Sequence, residues 1–338
     1  MARSPTRRPV LVALAATAAF ALAVVSAAHA QEKSKLTVVF PTPPQTFGIP
    51  YYIAKDSGWY AKNGLEIEEQ TIAGTPNVIR AMLAGQADVG ILVIDSFFVA
   101  VAEGAKMKAI GSWQPVADYQ LVARKGLIKS IPDMAGKTFA GFSSGNLLEH
   151  VPQLLMKKYG KDAKAMAYVS IGGHPERVQA VAVGKADVTM VNTIAALGGV
   201  KQGSVEILTT VEKELPGLGY VYSVVTDSGL ADPTKRKALE VFTRGAVEGA
   251  RAALGDAALT TATMLKRTPN VDPVLLRSVI EELIRLKAWD ANGGADVNAA
   301  ETAAKTYHEL GIVKRRLGAA EIMDRSVMEK VLKDLGTV

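Results

Sequence analysis

The sequence predicts an α/β fold of two similar lobes joined by a two-strand hinge, with a helical C-terminal segment packed on lobe one. Three observations lead there. Short apolar runs alternate with helical patterns between Leu36 and Ile194, as in repeated strand–helix units with parallel strands. One pattern within that stretch recurs at a fixed offset of 99 residues. From Pro233 onward the periodicity is helical almost throughout.

Residues 1–30 read as a secretory signal peptide and stand outside the fold. Arg3, Arg7 and Arg8 precede an apolar run from Val10 to Val25, and Ala28-His29-Ala30 supplies a small-x-small cleavage pattern. The mature chain is expected to start at Gln31 and to be periplasmic, by the general secretory route. Three of the 39 basic residues lie in that leader against no acid, so the formal excess of six falls to three. The remaining charges alternate as on solvated helix faces, which gives nucleic-acid binding no support.

The first unit runs in order. Leu36–Phe40 is a strand, Pro50–Asn63 a helix closed by Gly64, Leu65–Glu69 a strand and Pro76–Ala84 a helix. Asp88–Val93 is a buried strand, Asp95 or Ser96 caps the helix after it, and Met107–Trp113 is a strand. A second unit restarts with strand Lys137–Phe142, helix Asn146–Tyr159 and strand Ala165–Ile171. Helix Pro175–Val183 and strand Asp187–Val191 complete it.

The two units superpose. Gly74-x-Pro76-x-x-x-x-Ala81-x-x-x-Gly85-x-Ala87-Asp88-Val89 lies over Gly173-x-Pro175-x-x-x-x-Ala180-x-x-x-Gly184-x-Ala186-Asp187-Val188, seven identities in sixteen positions. Proline at a helix start and glycine just past its end follow from backbone sterics, so those residues are explained by the fold. Thr75 and His174, in the capping position, are not so constrained and are freer for function.

After the second unit, strand Tyr220–Thr226 precedes helices over Glu240–Leu254, Ala257–Arg267, Pro273–Lys287, Ala295–Leu310 and Ala319–Leu335. The expected organisation is lobe one over 31–120, lobe two over 121–221 and a return to lobe one over 222–338. Two crossings, near Tyr119–Arg124 and Gly219–Thr226, make a hinge.

The chain has no cysteine, which excludes disulfides, thiol nucleophiles and thiolate metal sites. His150, His174 and His308 are too scattered for a metal, and no nucleophile elbow or phosphate loop occurs. A hydrolase built on Ser143 or Ser144 with His174 lacks an identifiable orienting carboxylate. No catalytic residue, cofactor or metal is therefore expected.

Ligands of open α/β sheets bind beyond the carboxyl ends of strands, against helix N-termini. That rule selects Gln45, Thr46 and Phe47, then Thr75, Asp95, Ser96 and Gln114 in lobe one. In lobe two it selects Ser143, Ser144, His174, Asn192 and Thr193. Thr75, Asp95, Ser144 and Thr193 also suit plain N-caps, worth about 1 kcal/mol each. Phe47 and Trp113 also suit core packing.

Pro50-Tyr51-Tyr52-Ile53-Ala54-Lys55-Asp56-x-Gly58-Trp59-Tyr60-x-x-x-Gly64-Leu65 resembles the opening motif of the nitrate/sulfonate/taurine and pyrimidine-precursor binding family of ABC transporters. Gly85-Gln86-Ala87-Asp88-Val89-Gly90 and Asp133-Met134-Ala135-Gly136-Lys137 are similar to further motifs of that family. The resemblance implies a type II periplasmic binding protein, monomeric, which closes on a small molecule and docks on an inner-membrane permease. A small oxyanion such as a sulfonate, taurine or nitrate suits helix N-termini. A pyrimidine or an aromatic carboxylate stays open as an alternative, and so does an enzyme on the same fold.

Overall fold

The computed structural model describes residues 34–142, 147–162 and 164–338. The expected leader over 1–30 and the expected contacts of Ser143 and Ser144 lie outside the described residues. The first unit comprises β1 (Ser34–Phe40), α1 (Ile49–Asp56), α2 (Trp59–Lys62), β2 (Leu65–Thr71), α3 (Thr75–Leu83), β3 (Val89–Val93), α4 (Ile94–Ala102) and β4 (Met107–Gly111). The second comprises β5 (Tyr119–Arg124), β6 (Thr138–Gly141), α5 (Leu147–Lys158), β7 (Ala167–Ser170), α6 (His174–Ala182), β8 (Val188–Asn192), α7 (Thr193–Lys201), β9 (Val205–Thr210) and α8 (Val211–Glu214). There follow β10 (Val221–Thr226), α9 (Asp227–Ala231), α10 (Pro233–Gly255), α11 (Ala257–Leu265), α12 (Pro273–Arg285), α13 (Val297–Glu309), α14 (Ala319–Ile322) and α15 (Ser326–Leu335).

The strands form two five-stranded sheets with the same plan: β2-β1-β3-β10-β4 and β7-β6-β8-β5-β9. In each, four strands run in one direction and the fourth place is taken by an antiparallel strand, β10 in the first and β5 in the second, that follows a crossing between the sheets. β10 returns to sheet one after the whole of lobe two, and β5 enters sheet two straight from lobe one. The antiparallel pairs β10–β4 and β5–β9 both carry a register shift.

The repeated aspartates explain how the parallel pairs are pinned. Asp88 Oδ2 accepts the Thr37 N–H at 2.9 Å, and Thr37 O accepts the Asp88 N–H at 2.9 Å. Asp187 repeats this with Thr138, at 3.0 and 2.9 Å. Each two-bond clamp locks a strand to its parallel neighbour just where the helix before it has ended. Gly85 and Gly184, at φ 74° and 77°, end those helices in the left-handed conformation that other residues resist.

Several expected boundaries shift for local reasons. The helix expected over 50–63 breaks at Ser57-Gly58, where Gly58 adopts φ 70°. Helices α3 and α6 begin at Thr75 and His174 themselves, so Gly74 and Gly173 hold the cap positions. Helix α4 starts at Ile94 behind Val93, so neither Asp95 nor Ser96 is its cap; Asp95 lies in the first turn and accepts the Ser96 N–H at 2.7 Å. The helix expected over 319–335 divides because Asp324 N–H bonds Ala109 O at 2.9 Å, tying the chain to β4. Strand β9 was not anticipated: five of its six residues are only partly buried, so its apolar signal is faint.

Lobe one is held by an aromatic core. Tyr51 stacks on Trp113 at 6.0 Å and 4°, and Phe40, Tyr60 and Phe242 pack around them. Helix α10 crosses α1 closely enough that a Cβ on Gly249 would lie 1.9 Å from Pro50 O. Among the described residues, no helix is long and apolar enough to cross a membrane.

Candidate functional site

The exchange of strands brings the starts of β5 and β10 together between the sheets. Tyr119 opens β5 and Tyr220 immediately precedes β10; their rings meet edge-on at 5.4 Å. His174 lies on the other side of Tyr119, ring to ring at 6.2 Å, and Phe47 packs edge-on against Tyr220 at 5.9 Å.

Polar groups from both sheets meet around these rings. The 3-10 turn Thr46–Gly48 follows β1 and presents Gln45 and Thr46. Thr46 Oγ1 donates to Asp118 Oδ2 at 3.3 Å, while its carbonyl accepts the Trp289 Nε1–H at 3.1 Å. Asp118 Oδ1 accepts the Thr193 N–H at 3.3 Å and the Thr193 hydroxyl, and Gln120 Nε2 donates to that hydroxyl at 3.0 Å. Asn192 Nδ2 donates to Gln45 Oε1 at 3.4 Å, joining the two sheets directly.

Helix α7 shows how a cap and a cross-lobe contact share one side chain. Asn192, not Thr193, is its N-cap, with Oδ1 accepting the Ala195 N–H at 3.0 Å. That frees Thr193 for Asp118.

Lobe two places an arginine beneath the site. Arg177 is 2 % exposed and donates to Gly172 O at 2.8 Å, Met190 O at 3.3 Å and His174 Nδ1 at 2.9 Å. The Asn192 N–H also donates to His174 Nδ1, at 3.2 Å. Two donors on Nδ1 put the ring proton on Nε2. Burial, with the Arg177 charge beside it, lowers the His174 pKa to about 4. At neutral pH the imidazole is therefore a neutral Nε2–H donor and not a cation that would attract anions.

Burial pushes the Asp118 carboxyl up to about 6, against the hydrogen bonds from Thr193 and Thr46 that pull it down. Burial likewise raises Asp95, against bonds from Ser96 and the Leu147 backbone. Tyr119 is raised to about 12, by burial and then by the Asp95 charge.

The other expected residues divide. Phe47 and Trp113 are buried in the aromatic core of lobe one. Thr75 is buried, on a turn whose Gly74 N–H bonds Pro41 O at 2.8 Å. Gln114 is fully buried, with Oε1 lacking a partner. Asp118, Tyr119 and Tyr220 are not among the residues that the strand-end rule selects, and neither is Arg177. Their signal was available: the first three stand at the two crossings, and Arg177 replaces a valine of the first repeat. Among the described residues, no group of three or more His, Asp or Glu is placed to hold a metal.

Comparison with known proteins gives a consistent picture. The sequence model of the family described as NMT1/THI5 like matches residues 45–255, more than half of the chain. "Putative binding protein YtlA" of Bacillus subtilis (strain 168) is 26% identical over 146 residues, which cover 42% of this chain and 43% of that protein. This chain thus spans less than half the length of that relative. Among solved structures, the "putative sulfonate ABC transporter, periplasmic sulfonate-binding protein SsuA" from Methylobacillus flagellatus KT superposes with a TM-score of 0.70 at 14% identity, covering 90% of this chain and 95% of the other. The nitrate-binding protein NrtA from Synechocystis PCC 6803 gives 0.68 at 13% identity, with 90% of each chain covered. At these identities the likeness is one of fold, that of periplasmic binding proteins.

Proposed function

The chain belongs to the NMT1/THI5-like family, and from that premise we propose that it is the solute-binding component of an ABC importer. It captures a small molecule between its two lobes and delivers it to a membrane permease. It works as a single periplasmic chain and catalyses nothing. Lobe one comprises residues 31–120 and 222–338, and lobe two comprises residues 121–221.

The observation that carries this reading is the paired-sheet plan, with strands exchanged at both crossings and side chains of both lobes converging on Tyr119 and Tyr220. Two rigid bodies joined at two crossings can rotate about them, and a ligand held by both lobes stabilises the closed arrangement by its differential affinity. The sulfonate and nitrate named for the structural relatives put small oxyanions first among the ligands to test. A pyrimidine or an aromatic carboxylate comes second, because tyrosine rings line the junction.

The test is native mass spectrometry of the purified chain against a panel of these compounds, followed by recovery of whatever is retained. The expected result is a stoichiometric complex from which the ligand is released chemically unchanged. Recovery of a converted product would overturn the assignment.

A further inference from the structure

Helix α7 belongs to lobe two by its place in the chain, yet lobe one holds it at both ends. At its N-terminus the Thr193 N–H and hydroxyl donate to Asp118, whose other oxygen accepts from Thr46, and Asn192 Nδ2 reaches Gln45. At its C-terminus Lys201 pairs with Asp272. The other oxygen of Asp272 accepts the Val274 and Leu275 N–H groups at 2.8 and 3.4 Å and so caps α12. Between the two ends, a Cβ on Gly198 would lie 3.8 Å from Leu275 Cδ2. Ile194 and Leu197 pack against a cluster whose other members, among them Ile49, Ile53, Leu276 and Trp289, all come from lobe one.

The counterpart of α7 in the first unit turns inward instead. At the offset of 99, Leu197 lies over Phe98, and Phe98 on α4 packs on Tyr222 and Tyr307 of its own lobe. Helix α7 is bound just as closely to lobe two. Gly199 sits so near Val178 and Val205 that an added Cβ would lie 2.5 and 2.8 Å from them. The opposite flank of the junction is looser. There α5 of lobe two and α13 of lobe one leave a gap of about 110 Å³, lined by His150, Gln153, Leu154, Lys157, Glu309 and Leu310.

A contact that survives a rigid-body rotation must lie near its axis, because displacement grows with distance from that axis. A rotation of about 20° moves a point about 5 Å away by about 2 Å, within the sliding that packed helices tolerate; a point about 20 Å away moves by about 7 Å, which breaks a packed contact. Two fixed points define a line. Here they are the Asp118–Thr193 and Lys201–Asp272 contacts, at the two ends of a nine-residue helix about 13 Å long. Resting on the reading of the chain as two lobes that move, we propose that α7 is the pivot of that motion. The lobes turn about its length, keep the α7–α12 contact throughout and part on the side of α5 and α13. The mechanical boundary between the lobes therefore differs from the chain boundary at the two crossings. Leu197, Lys201, Asp272 and Leu275 are positioning residues, which set how the cleft opens through the pivot and not by contact with the ligand.

Because the sequence has no cysteine, paired spin labels give a clean test. The helix pair, Val200→Cys with Val274→Cys, spans α7 and α12 at exposed positions. The gap pair, Lys157→Cys with Glu309→Cys, spans α5 and α13 at positions that are likewise exposed. Pulsed electron resonance distances are measured on the full mature chain, alone and with nitrate, ethanesulfonate, benzoate and cytosine as probes. Across these conditions the gap pair is expected to spread or shift by about 5 Å or more, and the helix pair to stay within about 2 Å. Leu197→Ala combined with Leu275→Ala strips the apolar part of the pivot and is expected to spread the helix pair beyond about 4 Å. A loss of packing alone would lower the unfolding midpoint and leave that distance narrow, and this result would overturn the role given to the two residues. In the chain with its pivot intact, equal movement of both pairs means that the lobes turn about another line. It overturns the inference and leaves two moving lobes standing, as does movement of the helix pair alone. Fixed distances in both pairs under every condition remove the motion itself, and with it the reading of the junction as a closing cleft.

Discussion

The two repeats are built alike but furnished differently. At an offset of 99, Gly85 and Gly184 end equivalent helices, and Asp88 and Asp187 clamp equivalent strands. The same offset sets Val78 against Arg177. Val78 is a core residue with 0 % exposure, while Arg177 is a buried guanidinium that fixes a histidine tautomer. It also sets Val93, which caps nothing with its side chain, against Asn192, which caps α7 and reaches the other lobe. Positions that build the sheet recur; positions that face the junction diverge. A duplicated unit can drift at its strand ends because those residues hold no strand in register.

The lobes also differ in how tightly their helices approach. A Cβ on Gly249 in lobe one would meet the backbone of Pro50, whereas a Cβ on Gly199 in lobe two would meet the side chains of Val178 and Val205 at 2.5 and 2.8 Å. Side chains can turn aside and a backbone carbonyl cannot. Gly249→Ala is expected to cost about 3 kcal/mol or more and Gly199→Ala about 1 kcal/mol, both measured by urea denaturation. Equal losses in the two variants would mean that lobe two is as rigidly packed as lobe one.

The second contrast is between two buried ionisable groups that act in opposite directions. Between pH 6.5 and about 4 the unfolded chain protonates this histidine while native His174 stays neutral, so stability falls as pH falls. Between about 6 and 3.8 native Asp118 holds a proton that the unfolded chain has released, so stability rises as pH falls. Each effect amounts to about 2 kcal/mol by pH 4.5, and the two nearly cancel. Asp118→Asn is expected to expose the histidine effect, with its unfolding midpoint dropping between pH 6.5 and 4.5. His174→Gln is expected to show the reverse trend. If both variants simply follow the wild type across that range, the two groups are not buried as described.

How legible this was in the sequence depended on distance along the chain. The repeat was legible because glycine, proline and aspartate act on neighbours a few residues away. The strand–helix order shared by the two units followed from it, whereas the return strand and the helical tail rested on their own periodicity. Asp118 was not legible. It lies in a connection with no counterpart in the repeat, and its partners Thr46 and Thr193 are 72 and 75 residues away. Asp95 is selected at a strand end and also reads as a cap, because acidic residues at helix starts usually serve that purpose, yet Val93 holds the cap position. Gln45 and Asn192 were selected as residues that touch a ligand, and in the structure they touch each other.

That last pair gives the smallest and most specific test. Asn192 does two things with one amide: Oδ1 caps α7 through Ala195 N–H at 3.0 Å, and Nδ2 reaches Gln45 at 3.4 Å. Asn192→Ala removes both and is expected to cost about 1 kcal/mol, the ordinary value of a lost cap. Asn192→Asp keeps an acceptor for the cap and places a negative charge at a helix N-terminus, which is favourable there. It also loses the donor to Gln45. Its stability should therefore lie within about 0.5 kcal/mol of the wild type. A long polar contact at the lobe junction contributes little to folding but bears on closure, so the two properties should separate in Asn192→Asp. Small-angle scattering of the ligand-free chain is expected to show a larger radius of gyration for Asn192→Asp and for Gln45→Ala than for the wild type, with no further increase in the double variant. An additive increase would mean that the two residues do not act through each other, and the cap would then be the whole role of Asn192.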